Sequence, residues 1–236
     1  MAPKTAIVDL KTINIAFRQA DKYGDIDKNP VAAVRPPKEV CSEREVFTQD
    51  EVQKLYHAAP THEWQTLILL GYFIGARLMD CVQMKWDNIL PGKNLLEYEQ
   101  KKTGKKVGVP MHLNLVEHLN FISTFGTKGF LCPKLASKVT GGRRGLSECF
   151  KRIVVKAGLD PMTVKGKGLR NFSKRSFHSL RHSFNSVLAN KGVSEEVRRK
   201  LTGHASPMIN QKYTHLDINT LKVAMDSFPL FGSGAK

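Results

Sequence analysis

The sequence has few acidic residues, few cysteines and no long apolar run. Its 236 residues include 21 Asp and Glu against 37 Lys and Arg, a net charge of +16, which favours an acidic partner such as nucleic acid. No run of eighteen or more apolar residues and no signal-peptide core occur, so we expect a cytoplasmic protein without a membrane partner. The 4 cysteines are scattered without a C-x-x-C pair, so the sequence indicates neither a zinc ribbon nor a disulfide framework, and free thiols are expected.

The amount of apolar sequence predicts one main domain with a small appendage. With 41% apolar residues, the chain can bury one substantial core. A helical pattern at 7–23 is followed by a proline-rich stretch at 29–38, which we interpret as an extended linker that ends near residue 45. The main domain is therefore predicted at 46–217, with a separate helix at 218–231 and a flexible tail at 232–236.

Within the main domain, hydrophobic periodicity predicts mostly helix. Thr48 and Glu51 form a predicted capping box that opens a helix, and the apolar stretch 64–74 predicts a buried helix that ends at Gly75. Further helices are predicted at 112–125, 146–157, 178–190, 194–201 and 218–228. Two short strands at 95–99 and 107–110 flank a lysine-rich turn, which predicts a β-hairpin. The predicted fold class is thus mainly α with one small antiparallel β-sheet (α+β).

A second basic segment lies between Lys138 and Arg175. It carries eleven Lys or Arg residues against two acidic ones, Glu148 and Asp160. A charge run is often only a solvated face, but the charge of the whole chain favours contacts with phosphates. The candidate DNA-binding residues of this segment are Arg143, Arg144, Lys174 and Arg175.

The sequence H-S-L-R-H at 178–182 is the most unusual polar cluster. On a helix, His178 and Arg181 lie three residues apart and could be directed at one anion, such as a phosphate. His178 and His182 also have the spacing of half a zinc site, but the glutamate of a zinc protease motif is missing and no third ligand is evident. A structural role for these histidines is the remaining alternative.

Five ordered blocks resemble the tyrosine recombinase or phage integrase family. They are G-A-R-L-M-D at 75–80, E-Q-K-K-T-G-K at 99–105, H-S-L-R-H at 178–182, L-T-G-H-A-S-P at 201–207 and Y-T-H at 213–215. Together they span about residues 46–217. Ala76, Asp80 and Ser179 replace residues that are commoner in the family, but none of these differences removes a catalytic group.

The resemblance implies DNA strand cleavage and rejoining through a 3′-phosphotyrosine intermediate, without a metal or other cofactor. Arginine suits the non-bridging phosphate oxygens because its charge is permanent and its donors are planar. A tyrosine nucleophile needs a base, and the 5′-oxygen leaving group needs an acid. The implied catalytic residues are Arg77 and Arg181 on the phosphate, His178 as base, Lys102 as general acid, His204 as hydrogen-bond donor and Tyr213 as nucleophile.

Four further residues have less specific predicted roles. Lys101 and Lys105 are alternatives to Lys102 and candidate DNA contacts, whereas Asp80 and His182 are expected to support the site. We expect Asp80 to orient the guanidinium of Arg77 or to cap a turn, and not to bind a metal.

The resemblance also implies double-stranded DNA as substrate and a homotetramer on DNA, in a nucleoid-associated protein of a bacterium, phage or mobile genetic element. Residues 1–45 would be the remnant of an N-terminal clamp domain with its linker. The helix at 218–231 would dock on a neighbouring protomer or pack on its own core; both alternatives stay open. Type IB topoisomerase activity and a non-catalytic DNA-binding module of the same fold are the competing functions.

Overall fold

A computed structural model of the chain describes residues 3–37, 45–142, 145–165, 171–203 and 218–228. The chain divides into a smaller unit, Met1–Glu43 with Met162–Lys174, and a larger unit, Arg44–Pro161 with Arg175–Lys236. The described residues are mostly helical, with small antiparallel sheets, which confirms the predicted fold class. No helix in these described ranges has both the length and the apolar character needed to cross a bilayer. The predicted domain boundaries stay predictions.

The smaller unit begins with α1, Pro3–Tyr23, four residues earlier than its predicted start. The following proline stretch is not fully extended as predicted, because Pro30–Ala33 forms a 3₁₀ turn. Asn29 explains the turn: its side-chain oxygen accepts a hydrogen bond from Val31 N at 2.9 Å. Its amide nitrogen donates to Asn14 Oδ1 at 2.8 Å, which attaches the turn to α1.

The smaller unit also contains a hairpin that the sequence did not predict. Strands β4, Thr163–Lys165, and β5, Asn171–Ser173, pair antiparallel with Val164 opposite Phe172. This hairpin is a second small sheet in addition to the predicted one. Strands of three residues are too short for an alternating pattern to be recognised in a sequence.

The larger unit opens with the predicted capping box. Helix α2, Gln49–Ala58, begins after Thr48, whose hydroxyl accepts from Glu51 N at 3.2 Å while Glu51 Oε2 accepts from Thr48 N at 2.9 Å. The predicted buried helix at 64–74 is confirmed in position and burial, but it has two parts: α3, His62–Leu69, and a π-helical turn, Leu70–Ile74. Such turns widen a helix locally and frequently occur at functional sites.

A three-stranded antiparallel sheet carries the predicted lysine hairpin. Its order is β1 (Ile89–Leu90), β2 (Leu95–Glu99), β3 (Lys106–Pro110), with Glu99 opposite Lys106. Leu96 and Tyr98 are buried while the glutamates between and after them are exposed, as expected for a strand with one core-facing side. The hairpin prediction is confirmed, with β3 starting one residue earlier.

The remaining predicted helices are also present, with ends that differ by at most two residues, and two short helices were not predicted. In chain order these elements are α4 (Leu78–Val82, not predicted), α5 (Leu113–Ser123), α6 (Pro133–Ala136, not predicted), α7 (Leu146–Lys156), α8 (Phe177–Asn190), α9 (Glu195–Thr202) and α10 (Ile218–Asp226). Short 3₁₀ turns at Trp86–Asn88 and Pro91–Lys93 flank β1.

Helix α8 has the buried stripe that determines the geometry of the site. Phe177, Leu180, Phe184 and Leu188 recur at helical spacing and are at most 4% exposed. Arg181 lies on the same stripe and is only 2% exposed. An arginine is therefore held within the core of the larger unit, where its charge must be satisfied by specific partners.

The described part of α10 and the residues that follow it pack on the chain's own core. Met225 and Phe228 are 1% and 3% exposed. The Phe228 ring lies 5.3 Å from that of Tyr72 and 5.5 Å from that of Phe184, and its carbonyl oxygen is 3.3 Å from His112 Nε2. This is packing in cis; docking on a neighbouring protomer stays a prediction.

Candidate active site

The structure describes most of the residues predicted for the site. His204, Tyr213, Arg143 and Arg144 lie outside the described residues. The others are placed on four elements: the start of α4, the β2–β3 turn, the segment before α8, and α8 itself.

Arg77 lies between the π-helical turn and α4, in extended conformation. Its Nη1 donates to Gln100 Oε1 at 3.0 Å and lies 3.7 Å from Asp80 Oδ2. Asp80 is 5% exposed, and its Oδ1 accepts from Lys101 N at 3.1 Å. Arg77 is thus connected to the lysine hairpin through both an amide and a carboxylate; the supporting role of Asp80 stays a prediction.

Arg181 is held by two backbone carbonyls. Its Nη1 donates to Gly75 O at 2.6 Å and its Nη2 to Thr202 O at 2.7 Å. Burial, and next the positive charge of Arg77, lower the pKa of Arg181 to about 10. The guanidinium still carries its charge at neutral pH, and the two arginines are close enough to repel each other. A phosphate anion beside them would relieve this repulsion.

Gln100 is a site residue that the sequence analysis missed. Its side chain is fully buried, with 0% exposure. Nε2 donates to Thr202 O at 2.7 Å, and Oε1 accepts from Arg77 Nη1 and from Thr103 Oγ1, each at 3.0 Å. The alternation along the strand could have indicated this residue: Leu96 and Tyr98 are buried, so the side chain two residues further on, Gln100, is expected to point to the same, core-facing side.

Two glycines allow the close approaches in this site. Gly75 and Gly203 have φ of +64° and +66°, a region that residues with a Cβ rarely adopt. A Cβ on Gly75 would lie 2.6 Å from Phe184 Cδ1, and one on Gly203 would lie 2.7 Å from Val107 Cγ2 and 2.8 Å from Gln100 Cδ. The glycine of the L-T-G-H block is therefore required where α9 meets the hairpin.

The lysine turn is anchored at its base and exposed at its tip. Gln100 N donates to Lys105 O at 2.9 Å, and Gly104 N donates to Gln100 O at 2.8 Å. Lys101 and Lys102 are exposed, whereas Lys105 is half-buried. The choice of Lys102 as general acid over its two neighbours stays a prediction.

The two histidines of α8 lie on its exposed side. The rings of His178 and His182 contact each other edge to face at 4.9 Å between centroids, while Arg181 between them points into the core. His178 and Arg181, which were predicted to share one face of the helix, thus lie next to each other across the boundary between its exposed and buried sides. In the described ranges, no group of three or more His, Cys, Asp or Glu residues is arranged as a metal site.

Ser179, which stands where the family often has an acidic residue, helps to begin α8. Its hydroxyl accepts from Ser176 N at 3.1 Å, as part of a capping box. The hydroxyl thus takes the position that a carboxylate would occupy at this helix start. The helix that carries His178 and Arg181 is therefore capped without an acidic residue.

Of the basic residues predicted to bind DNA, Arg175 has partners within the chain. Its Nη1 lies 2.8 Å from Glu51 Oε1, and its guanidinium lies 5.8 Å from the centroid of the Phe47 ring. Lys174 is half-buried. The DNA-binding role of both residues stays a prediction.

Two buried tyrosines and one half-buried tyrosine in the described residues are poorly suited as nucleophiles. Burial raises the pKa of Tyr56, Tyr72 and Tyr98, that of Tyr72 to about 12. A catalytic phenol must instead lose its proton readily. None of these three tyrosines is therefore a competing candidate for the role of nucleophile that is predicted for Tyr213.

Comparisons with known proteins agree with the motif analysis. A family model described as the phage integrase family matches residues 45–220. The chain is 30% identical over 216 residues to the integrase of Escherichia phage HK022, covering 86% of this chain and 55% of that protein. It therefore spans about half the length of the first curated relatives that it matches.

Solved structures show the same fold. A crystal structure of a lambda integrase dimer bound to a COC′ core site matches with a TM-score of 0.60 and 27% identity, covering 89% of this chain and 74% of that one. A lambda integrase tetramer bound to a Holliday junction matches with a TM-score of 0.59 and 27% identity, covering 89% of this chain and 60% of that one.

Proposed function

Because the chain belongs to the phage integrase family, we propose that it is a site-specific recombinase that cleaves and rejoins DNA through a 3′-phosphotyrosine at Tyr213. The observation that carries this proposal is the pair of positioned guanidiniums, Arg77 and Arg181: Arg77 is bonded to the Gln100 amide, which shares the Thr202 carbonyl with Arg181. Two fixed cations at one place suit a phosphodiester, whose transition state carries negative charge on its non-bridging oxygens.

Both arginines are held in place by groups of the chain itself. The carbonyls of Gly75 and Thr202 orient Arg181, while Gln100 and Asp80 orient Arg77. Donors that are already oriented need no reorganisation when negative charge develops, which is why such sites stabilise transition states effectively. Removing one donor of this kind typically lowers the rate by about 10²–10³-fold.

Cleavage requires two proton transfers in addition to this electrostatic stabilisation. The phenol of Tyr213, with a reference pKa of about 10, loses its proton to His178 as its oxygen attacks phosphorus. The bond from phosphorus to the 5′-oxygen breaks, and Lys102 protonates that oxygen. The phosphotyrosine ester that forms retains the energy of the ester bond that breaks, so a 5′-hydroxyl of another strand can attack it, release the tyrosine and rejoin DNA without an external energy source.

We further propose double-stranded DNA as the partner and a homotetramer as the assembly on two recombination sites. The net charge of +16 supports binding to DNA. The solved relatives bound to a core site and to a Holliday junction, as dimer and tetramer, support the assembly. DNA contacts are proposed for Lys101 and Lys105 of the β2–β3 turn and for Arg143, Arg144, Lys174 and Arg175.

Covalent trapping tests the proposal. The protein is incubated with a pool of nicked duplexes of randomised core sequence, in which cleavage releases a short 5′-hydroxyl fragment that diffuses away. Denatured products are then resolved for a protein–DNA adduct. We expect an adduct with the unaltered protein and with the control Tyr23→Phe, whose side chain is exposed in α1, but none with Tyr213→Phe.

Two results would contradict the proposal. An adduct that persists in Tyr213→Phe would assign the nucleophile to another residue. A folded protein that retains the duplex but never forms an adduct would be a DNA-binding module of this fold.

A further inference from the structure

Gln100 joins three segments that lie far apart in the sequence. Its amide contacts Arg77, which precedes α4, Thr103 in the lysine turn, and Thr202 at the end of α9. The Thr202 carbonyl that receives the Gln100 amide also receives Arg181 Nη2. One buried side chain is therefore bonded directly to one arginine and shares a partner with the other.

The same residue forms the base of the lysine turn. Besides its side chain, Gln100 uses its backbone: its N–H donates to Lys105 O at 2.9 Å, and its carbonyl accepts from Thr103 N at 3.1 Å and Gly104 N at 2.8 Å. The position of the exposed turn is thus set by a residue that is itself 0% exposed. The Gln100 side chain itself acts on the turn through Thr103, whose hydroxyl donates to Gln100 Oε1.

We infer that Gln100 is a positioning residue that holds the lysine turn in register with the arginine pair, so that Lys102 meets the leaving 5′-oxygen of the phosphate held by the arginines. The inference rests on the proposed strand-cleavage function. It concerns one step: a proton moves from the Lys102 ammonium to the 5′-oxygen as the phosphorus–oxygen bond breaks and the bond from Tyr213 to phosphorus forms.

The chemistry of the amide explains why glutamine is suited to this place. The site needs an acceptor for Arg77 and Thr103 and, 2.7 Å from Thr202 O, a donor. Glutamate would supply the acceptor but would direct a carboxylate oxygen at a carbonyl oxygen. Methionine has nearly the same length and neither group, so Gln100→Met removes the hydrogen bonds while leaving most of the volume.

A change of leaving group separates positioning of the acid from support of the arginines. In a duplex with sulfur in place of the bridging 5′-oxygen, the leaving group is a thiolate, whose conjugate acid has a pKa of about 8.5 in the case of cysteine. A thiolate leaves without a proton, so this substrate does not need Lys102. The arginines are needed for both substrates, because the non-bridging oxygens are the same.

The experiment measures the rate of adduct formation on the two duplexes and takes their ratio for each protein. Unfolded protein lowers both rates equally, so the ratio is insensitive to a partial loss of folding. We expect Gln100→Met to raise the ratio of sulfur to oxygen substrate by on the order of 10²-fold, the lower end of what a general acid contributes. Lys102→Ala should raise it at least as much and serves as the reference.

Gln65→Met is the matched control. The amide of Gln65 is also bonded at both ends, to His62 Nδ1 at 2.8 Å and to Tyr56 O at 3.3 Å, but none of these partners belongs to the site. Its ratio should equal that of the unaltered protein.

Each other outcome has a definite meaning. If Gln100→Met slows both substrates equally, the glutamine only supports the arginines and the inference is wrong. If Lys102→Ala leaves the ratio unchanged, the turn carries no general acid at this position, and the inference is again wrong. If the unaltered protein forms no adduct with either duplex, the proposed function itself fails, and the inference with it.

Discussion

Replacing Gly203 by alanine places a methyl group against the buried amide of Gln100. Gly203 follows α9 with φ of +66°, and the added carbon would lie 2.7 Å from Val107 Cγ2 and 2.8 Å from Gln100 Cδ. Both distances are shorter than any ordinary contact, so the amide must move away. The movement breaks the 2.7 Å hydrogen bond from Gln100 Nε2 to Thr202 O.

The expected loss of stability has two parts. A left-handed backbone costs a residue with a Cβ about 1–2 kcal/mol. A buried amide that loses its hydrogen bond costs about 1–3 kcal/mol more. Gly203→Ala should therefore lower the free energy of unfolding by about 2–5 kcal/mol, a large share of the roughly 5–15 kcal/mol of a typical domain.

Gly192→Ala is the control that measures the cost of backbone strain without the contact to a buried side chain. Gly192 follows α8 with φ of +76°, but a Cβ there would meet no atom within 4 Å. It should lose only about 1–2 kcal/mol, through backbone strain alone. Urea unfolding followed by the fluorescence of Trp64 and Trp86 measures both variants. Equal losses would refute the reasoning, because the contact with Gln100 would then have no energetic weight.

Three further predictions follow from individual side chains. Arg181→Lys keeps the charge, but a lysine cannot donate to both the Gly75 and the Thr202 carbonyl as the guanidinium does, so adduct formation should slow by about 10²-fold or more. An undiminished rate would show that the two-pronged guanidinium is not needed. Arg175→Gln should cost about 1 kcal/mol of stability through its ion pair with Glu51. If Arg175 contacts a phosphate of DNA instead, Arg175→Gln should reduce by about 0.9 the slope of the logarithm of DNA affinity against the logarithm of salt concentration. Burial lowers the pKa of His118 to about 4, below its unfolded value of about 6.5, so the unfolded state binds the proton more readily. The free energy of unfolding should therefore decrease by about 3 kcal/mol as the pH is lowered from about 6.5 to about 4. His118→Gln should flatten this fall in urea unfolding at pH 7 and pH 4, and an unchanged fall would assign it to other groups.

The features predicted correctly from sequence are local ones. The capping box of Thr48 and Glu51, the strands at the lysine turn and the helix that carries His178 all depend on residues within one or two turns of each other. Periodicity and capping describe such neighbours directly. The family blocks also predicted the catalytic residue types, which stay predictions, and the match of the family model over 45–220 confirmed the family.

The features missed from sequence are of two kinds. The π-helical turn at Leu70–Ile74 and the short strands of the β4–β5 hairpin leave too weak a periodic signal. The pairing of Arg175 with Glu51 depends on residues that are far apart along the chain. No local pattern shows that a basic residue in a charge run has an acidic partner in a distant segment.

The site itself divides in the same way. The sequence by itself determined which groups are present: two arginines, a lysine turn, a histidine pair and a tyrosine, in an order that matches one family. Only the tertiary structure decided how Arg181 and Arg77 are held, through the carbonyls of Gly75 and Thr202 and the amide of Gln100. Hydrogen bonds across 106 and 102 residues of sequence depend on which segments the packed core brings together, and no local pattern encodes that choice.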